Sequence, residues 1–203
     1  NFVSVMFSSS NHMPFELPDG KIEFEKNLPK ASVENAIKYA DFAIGKFFEL
    51  AKKEDYYKDT VFVIVADHNV RVYGDQVVPI DMFQIPGVIV SQDAPQQSYS
   101  KLSSQADVLA TALDLIGIDL SYPILGNSIF KDNKKEINLM IFDEIYAYRK
   151  EDKVVILIPN MPPKTYIYKD KKLLEEKSDS ILEKEALALV YVLDDMYKNK
   201  SYK

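Results

Sequence analysis

The 203-residue sequence predicts an α/β fold, a mainly parallel sheet flanked by helices with a small antiparallel meander at its carboxyl end. Three observations predict it. Val61 to Ala66 (VFVIVA) is an apolar run too short for a core helix and dominated by β-branched and aromatic residues. It reads as a strand buried on both faces, as in a parallel sheet. The order strand, long helix, strand between Phe2 and Ala66 is that of a right-handed crossover unit. Four short apolar segments, Ile137 to Phe142, Ile145 to Arg149, Val154 to Ile158 and Thr165 to Tyr168, then follow with turn-like separators.

Taken in order, Phe2 to Phe7 forms the first predicted strand. A natural chain rarely starts inside a strand, so the sequence is expected to be the carboxyl-terminal portion of something longer. Small polar residues before Pro14 mark a loop, and His12 sits in it, just past the strand end. Glu16 to Pro29 is a polar surface excursion with a turn at Pro18-Asp19-Gly20. Ser32 caps a helix running to about Lys53, whose Val33, Ala36, Ile37, Ala40, Ile44, Phe47, Phe48 and Ala51 form one apolar stripe. After the central strand, Gln84 to Val90 is a further strand, with Pro86-Gly87 marking an edge or a bulge. Ser103 or Ser104 begins a helix to Ile116, which Gly117 ends as a left-handed cap. Tyr122-Pro123 and Gly126-Asn127 mark a loop. Ser180 and Glu183 form a possible capping box for a last helix with Leu182, Ala186, Leu189, Val190, Leu193 and Tyr197 on its apolar face.

Bulk properties narrow the function. Apolar residues make up 47% and charged residues 28%, ordinary values for a globular domain. A net charge of -6 argues against a general nucleic-acid binder, which needs a basic surface, though it leaves room for a local basic pocket. With no cysteine, disulfides and thiolate metal sites are impossible. No apolar run approaches the roughly 18 residues of a membrane span.

Chemistry concentrates where the central strand stops, at Asp67-His68-Asn69. Ligand sites of open α/β sheets lie at the carboxyl ends of their strands. Burial without partners would be costly for an acid and an imidazole. Two readings are open: a divalent cation held by carboxylate oxygen and imidazole nitrogen, or Asp67 capping the next segment while His68 packs as a neutral ring. His12 and His68 are the only histidines, and both follow apolar strands. Arg71, one turn on, suits either a fork-shaped contact to a phosphate oxygen or the solvated surface.

SSSNHMPFELP, the helix ENAIKYADFAIGKFFELAKKEDYYKDT, VFVIVADHN and QADVLATALDLIGID occur in that order, and together they resemble the lipoteichoic acid synthase family. Its members are phosphoglycerol transferases of the sulfatase and alkaline phosphatase superfamily. The similarity spans residues 2–130, and 137–168 fits the family's closing strands more loosely. The resemblance implies an alkaline phosphatase-like sandwich. Residues 1–135 would be the carboxyl-terminal portion of its catalytic domain, and 136–203 its closing strands, meander and terminal helix. Asp67 and His68 match an acid–histidine pair that helps ligate one catalytic divalent metal, commonly manganese, with magnesium or zinc as other candidates. His12 matches a histidine that contacts the phosphoglycerol head and assists the leaving or attacking oxygen, and Asn69 and Arg71 are candidate substrate-binding residues. The implied reaction moves phosphoglycerol from phosphatidylglycerol to a glycan or polymer through a covalent threonine intermediate. Its partners would be an anionic phospholipid headgroup and a glycan acceptor, with no nucleic acid. The implied location is a bacterial cell membrane, with the catalytic domain extracytoplasmic and tethered by upstream helices.

The sequence departs from the family pattern in two places. The family's nucleophilic threonine and a further metal-binding acid precede the equivalent of Phe2, and Thr60, Thr111 and Thr165 are poorly placed to replace the nucleophile. The isolated chain is therefore expected to be inactive and to bind metal weakly. VRVYGD also lacks a histidine that many relatives carry there, which speaks against a two-zinc phosphatase site. Two alternatives stand beside transfer: a sulfatase or phosphodiesterase that releases product to water, and a non-catalytic sensor or lipid-binding domain on the same scaffold.

Overall fold

The computed structural model describes residues 2–69, 74–118, 125–132 and 134–201. It divides into two compact units, Asn1–Thr60 and Val61–Lys203.

The first unit is built on helix α1 (Val33–Ala51). Ser32 is its cap as expected, its hydroxyl accepting the Asn35 N–H at 3.3 Å. Ala36 and Ala51 are buried, but Ile37, Ile44 and Phe47 of the predicted stripe are exposed. The unit has no strand among the described residues, so it has no sheet face of its own to offer that side of the helix. The loop before α1 is held instead by Asn35, which is fully buried. Its Oδ1 accepts the Glu25 N–H at 2.9 Å, and its Nδ2 donates to the carbonyls of Pro29 at 3.1 Å and Lys30 at 3.3 Å. The strand expected over Phe2 to Phe7 is not formed: residues 2–9 belong to no ladder, and Phe2, Val3, Val5, Met6 and Phe7 are exposed. β-propensity alone does not make a strand, because the backbone groups need a neighbouring strand to bond.

The second unit holds two sheets. Strand β1 (Phe62–Val65) pairs antiparallel with β2 (Gly87–Val90), Phe62 opposite Val90 and Val65 opposite Gly87. The expectation of parallel neighbours around β1, buried on both faces, is not met among the described strands. Burial along β1 alternates, with Val63 and Val65 exposed. The connection explains the pairing. Parallel neighbours need a crossover, usually a helix of a dozen or more residues. Between β1 and β2 the only described helix is the single 3₁₀ turn Ile80–Phe83. Pro86 stands just before β2, as its lack of a donor requires, and its carbonyl accepts the Ala66 N–H at 3.2 Å.

Helix α2 (Gln105–Leu115) follows β2. Ser104 and Asp107 form a reciprocal capping box at its start, and Gly117 ends it at φ +72°. The Asp107 carboxylate also faces the Lys134 ammonium at 3.3 Å, and both side chains are at most 4% exposed. Lys134 donates to the Leu102 carbonyl at 2.7 Å and Asn127 N–H donates to Asp107 at 2.8 Å, so this buried pair is fully hydrogen-bonded. The predicted turn at Tyr122-Pro123 lies outside the described residues.

The carboxyl-terminal meander forms as expected and gains a strand. Strands β3 (Ile137–Phe142), β4 (Ile145–Lys150), β5 (Lys153–Leu157), β6 (Lys164–Lys169) and β7 (Lys172–Glu175) make one antiparallel sheet in chain order. Lys172 and Glu175 hid β7, an exposed edge strand whose polar ends suit an edge. One face of the sheet, through Met140, Ala147, Val154, Ile156 and Tyr166, packs on Val78 and Ile80. The other, through Tyr148, Val155 and Leu157, packs on Leu182 and Ala186 of helix α3 (Ser180–Asn199). Both faces are covered, which is why Val154 to Leu157 reads as an unbroken apolar run. The cap of α3 is Asp179, not Ser180: its carboxylate accepts the Leu182 N–H at 3.1 Å. Glu183 instead accepts from Thr165 Oγ1 and Ser178 Oγ, each at 3.0 Å.

Candidate metal centre at the end of β1

The ladder between β1 and β2 ends at Ala66, and the chain turns out of the sheet through Asp67, His68 and Asn69. Asp67 Oδ1 accepts the His68 N–H at 2.9 Å, a local bond that fixes the carboxylate beside its own backbone. His68 Nδ1 lies 2.9 Å from the Asn69 carbonyl. A carbonyl only accepts, so the proton sits on Nδ1 and the lone pair of the neutral ring is at Nε2. That nitrogen lies 3.6 Å from Asp67 Oδ2. Two ligands each about 2.1 Å from one ion, at angles of 90° to 109°, are themselves roughly 3.0–3.4 Å apart. A small closure of the pair therefore brings an oxygen and a nitrogen into ligand geometry. The side chains are 57% and 75% exposed, which leaves both atoms open to a metal or a substrate.

The frame of this turn comes from side-chain amides. Asn69 Nδ2 donates to the Gln84 carbonyl at 2.8 Å. Gln105 Nε2 donates to the carbonyls of Ala66 at 2.8 Å and Asp67 at 3.1 Å. Sequence reasoning placed Gln105 only at the start of a helix. Its bonds cross 38 and 39 residues, and no local pattern announces them. Further on, Gln76 spans to the edge of the five-stranded sheet: its Nε2 donates to the Lys171 carbonyl at 2.8 Å and its Oε1 accepts the Leu173 N–H at 2.7 Å.

His12 belongs to the first unit. Its loop is closed by His12 N–H to the Ser9 carbonyl and by Phe15 N–H to the His12 carbonyl, both at 3.0 Å. Its Nδ1 faces the Met13 carbonyl at 2.8 Å, so here too the lone pair of the neutral ring is at Nε2. The structure thus brings Asp67, His68 and Asn69 together. Arg71 lies outside the described residues. Among the described residues no group of three or more His, Cys, Asp or Glu gathers around one metal-sized space.

The sulfatase family model matches residues 1–118, more than half of the chain. The chain belongs to the sulfatase family. Among curated relatives, this family member is 25% identical over 208 residues to lipoteichoic acid synthase 2 of Bacillus subtilis (strain 168), covering 91% of the chain and 31% of the relative. It is also 25% identical over 154 residues to lipoteichoic acid synthase of Staphylococcus aureus (strain USA300), covering 67% of the chain and 24% of the relative. A solved structure of an alkaline phosphatase superfamily protein from Vibrio parahaemolyticus superposes with a TM-score of 0.89 at 33% identity. That superposition covers 97% of this chain and 49% of the other. The fold is accordingly that of the alkaline phosphatase superfamily, and the sulfatase-family chain spans less than a third of the curated relatives it matches.

Proposed function

We propose that Asp67 and His68 supply two ligands of a divalent metal centre, manganese being the favoured ion, in a phosphoglycerol transferase of the cell envelope. The observation that carries the proposal is the pairing of Asp67 Oδ2 with His68 Nε2 at 3.6 Å, with Nδ1 committed to the Asn69 carbonyl. Ligating histidines commonly donate their other ring nitrogen to a carbonyl or carboxylate, which fixes tautomer and ring orientation. When bound, the metal lowers the pKa of an attacking hydroxyl and neutralises charge on the transferring phosphoryl oxygens. The residues of this chain have separate tasks. Asp67 and His68 bind and neutralise, and the family resemblance gives His12, as an imidazolium protonated on both ring nitrogens, the role of general acid or hydrogen-bond donor to the departing glycerol oxygen. Asn69 and Arg71 are the candidate contacts to the substrate headgroup. The donor would be an anionic phospholipid and the acceptor a glycan, at the outer face of a cell membrane.

The attacking hydroxyl is not expected within this chain. Its three threonines are each engaged: Thr60 Oγ1 donates to the Tyr56 carbonyl at 2.6 Å, Thr111 Oγ1 to the Asp107 carbonyl at 2.6 Å, and Thr165 Oγ1 to Glu183 at 3.0 Å. The 203-residue chain is therefore expected to bind manganese weakly and not to turn over a phosphatidylglycerol analogue. Because only two histidines are present, the proton spectrum gives two imidazole sets, assigned with His12→Gln and His68→Gln. Added Mn²⁺ should broaden the His68 set, and Asp67→Asn should abolish that broadening. Robust turnover by the isolated chain, or equal broadening in the Asp67→Asn variant, would refute the proposal. The sulfatase-family match favours one other reading, in which the same ligands serve hydrolysis. Free glycerol phosphate, rather than a glycan adduct, as the product when this chain is supplied with the family's nucleophile-bearing segment would select it.

A further inference from the structure

We infer that Gln105 is a positioning residue for the Asp67–His68 pair, setting the direction of both side chains through the backbone that carries them. The inference rests on the metal reading above. Past Ala66 N–H, the β1–β2 ladder no longer holds the chain. Asp67 and His68 are largely exposed, so packing does not orient them. Their orientation is therefore only as definite as the main chain from 66 to 69. A single amide nitrogen of Gln105 reaches the two successive carbonyls of Ala66 and Asp67, at 2.8 and 3.1 Å. At the other end, the Asn69 amide reaches the Gln84 carbonyl at 2.8 Å. With both ends tied, the bonds from His68 N–H to Asp67 Oδ1 and from His68 Nδ1 to the Asn69 carbonyl select one arrangement of carboxylate and ring.

Gln105 is itself firmly mounted. It is the first residue of α2, next to the Ser104–Asp107 capping box, and Asp107 is anchored by buried Lys134. Yet Gln105 is solvent-exposed, and an exposed amide has water as an alternative partner. Its two bonds thus add little to global stability while fixing the local backbone, a combination expected of a positioning residue. Outer residues that orient metal ligands typically change metal affinity by one to two orders of magnitude when removed.

The test uses Mn²⁺ alone as the probe, the 203-residue chain, and the His68 imidazole resonances as readout. Gln105→Met keeps the length of the side chain and removes both donated bonds. Ser104→Ala weakens the same helix end without touching the carbonyls of Ala66 or Asp67. Gln105→Met should require about tenfold more Mn²⁺ to broaden His68 at an unchanged thermal midpoint. Ser104→Ala should lower the midpoint and leave the Mn²⁺ requirement as it was. Broadening of Gln105→Met at the wild-type Mn²⁺ concentration overturns the inference while leaving the metal reading intact. An equal rise in requirement for Ser104→Ala also overturns it, because Gln105 would then act only through helix stability. Absence of selective broadening in the wild-type chain, or its persistence in Asp67→Asn, removes the metal reading and the inference with it.

Discussion

Single residues in this chain do work that a hydropathy pattern does not register. Asn35 is the clearest case, a polar side chain with no exposed surface that satisfies three backbone groups of the loop between Glu25 and Lys30. Replacing it removes three part-buried hydrogen bonds, each contributing about 0.5–1.5 kcal/mol. Asn35→Ala should therefore destabilise the first unit by roughly 3 kcal/mol in urea unfolding, once loop relaxation recovers part of the sum. An equal loss for the neighbouring exposed substitution Glu34→Ala would argue against that account. Asp67 and His68 were visible in the sequence because an acid and an imidazole end an apolar run. Gln84, whose carbonyl matters rather than its side chain, was not visible at all.

The elements divide by how local their causes are. α1, α2 and the strands β3 to β6 follow from caps, apolar periodicity and turn residues that lie within each segment. The cap of α3 is Asp179, whose carboxylate also accepts from Lys153, distant in sequence, at 2.7 Å, a bond that holds its pKa below the usual value. Ile156 sits at the centre of the five-stranded sheet, 2% exposed, so Ile156→Ala should cost about 3–4 kcal/mol, read as a lower urea midpoint with an unchanged slope. The same sheet carries an alkaline limit. Burial first, and then Glu185, pushes the Tyr148 hydroxyl up to about 12. Burial first, and then the hydrogen bond to Asp81, does the same for Tyr168, also to about 12. Groups with a raised folded pKa contribute stability that is whole below the unfolded value and fades as pH climbs through the folded one. Thermal stability should therefore decline between about pH 10 and about pH 12, and Tyr148→Phe with Tyr168→Phe should flatten that decline.

At the scale of the whole molecule, the unusual property is exposed apolar surface. Phe2, Val3, Val5, Met6 and Phe7 are all largely exposed, and so are Ile181, Tyr191 and Tyr197 of α3. Clusters of this kind favour association when nothing covers them. The 203-residue chain should bind a hydrophobic dye and give a light-scattering mass above 23.2 kDa at high concentration. Val3→Lys with Val5→Lys should lower both signals. A strictly monomeric, dye-silent wild-type chain would contradict this expectation. The chain spans less than a third of the curated relatives it matches, and among its described residues no group of three or more His, Cys, Asp or Glu gathers around one metal-sized space.

By itself the sequence determined the helices, strands β3 to β6 of the meander, the acid–histidine strand end and the superfamily. Each of these depends on residues close together in the chain or on motifs in a fixed order. Tertiary structure alone decided that β1 pairs antiparallel with β2, that residues 2–7 make no strand, and that Gln105 and Asn69 brace the turn carrying Asp67 and His68. Pairing and bracing depend on which distant backbone groups come within hydrogen-bonding distance, and propensity and periodicity carry no information about that.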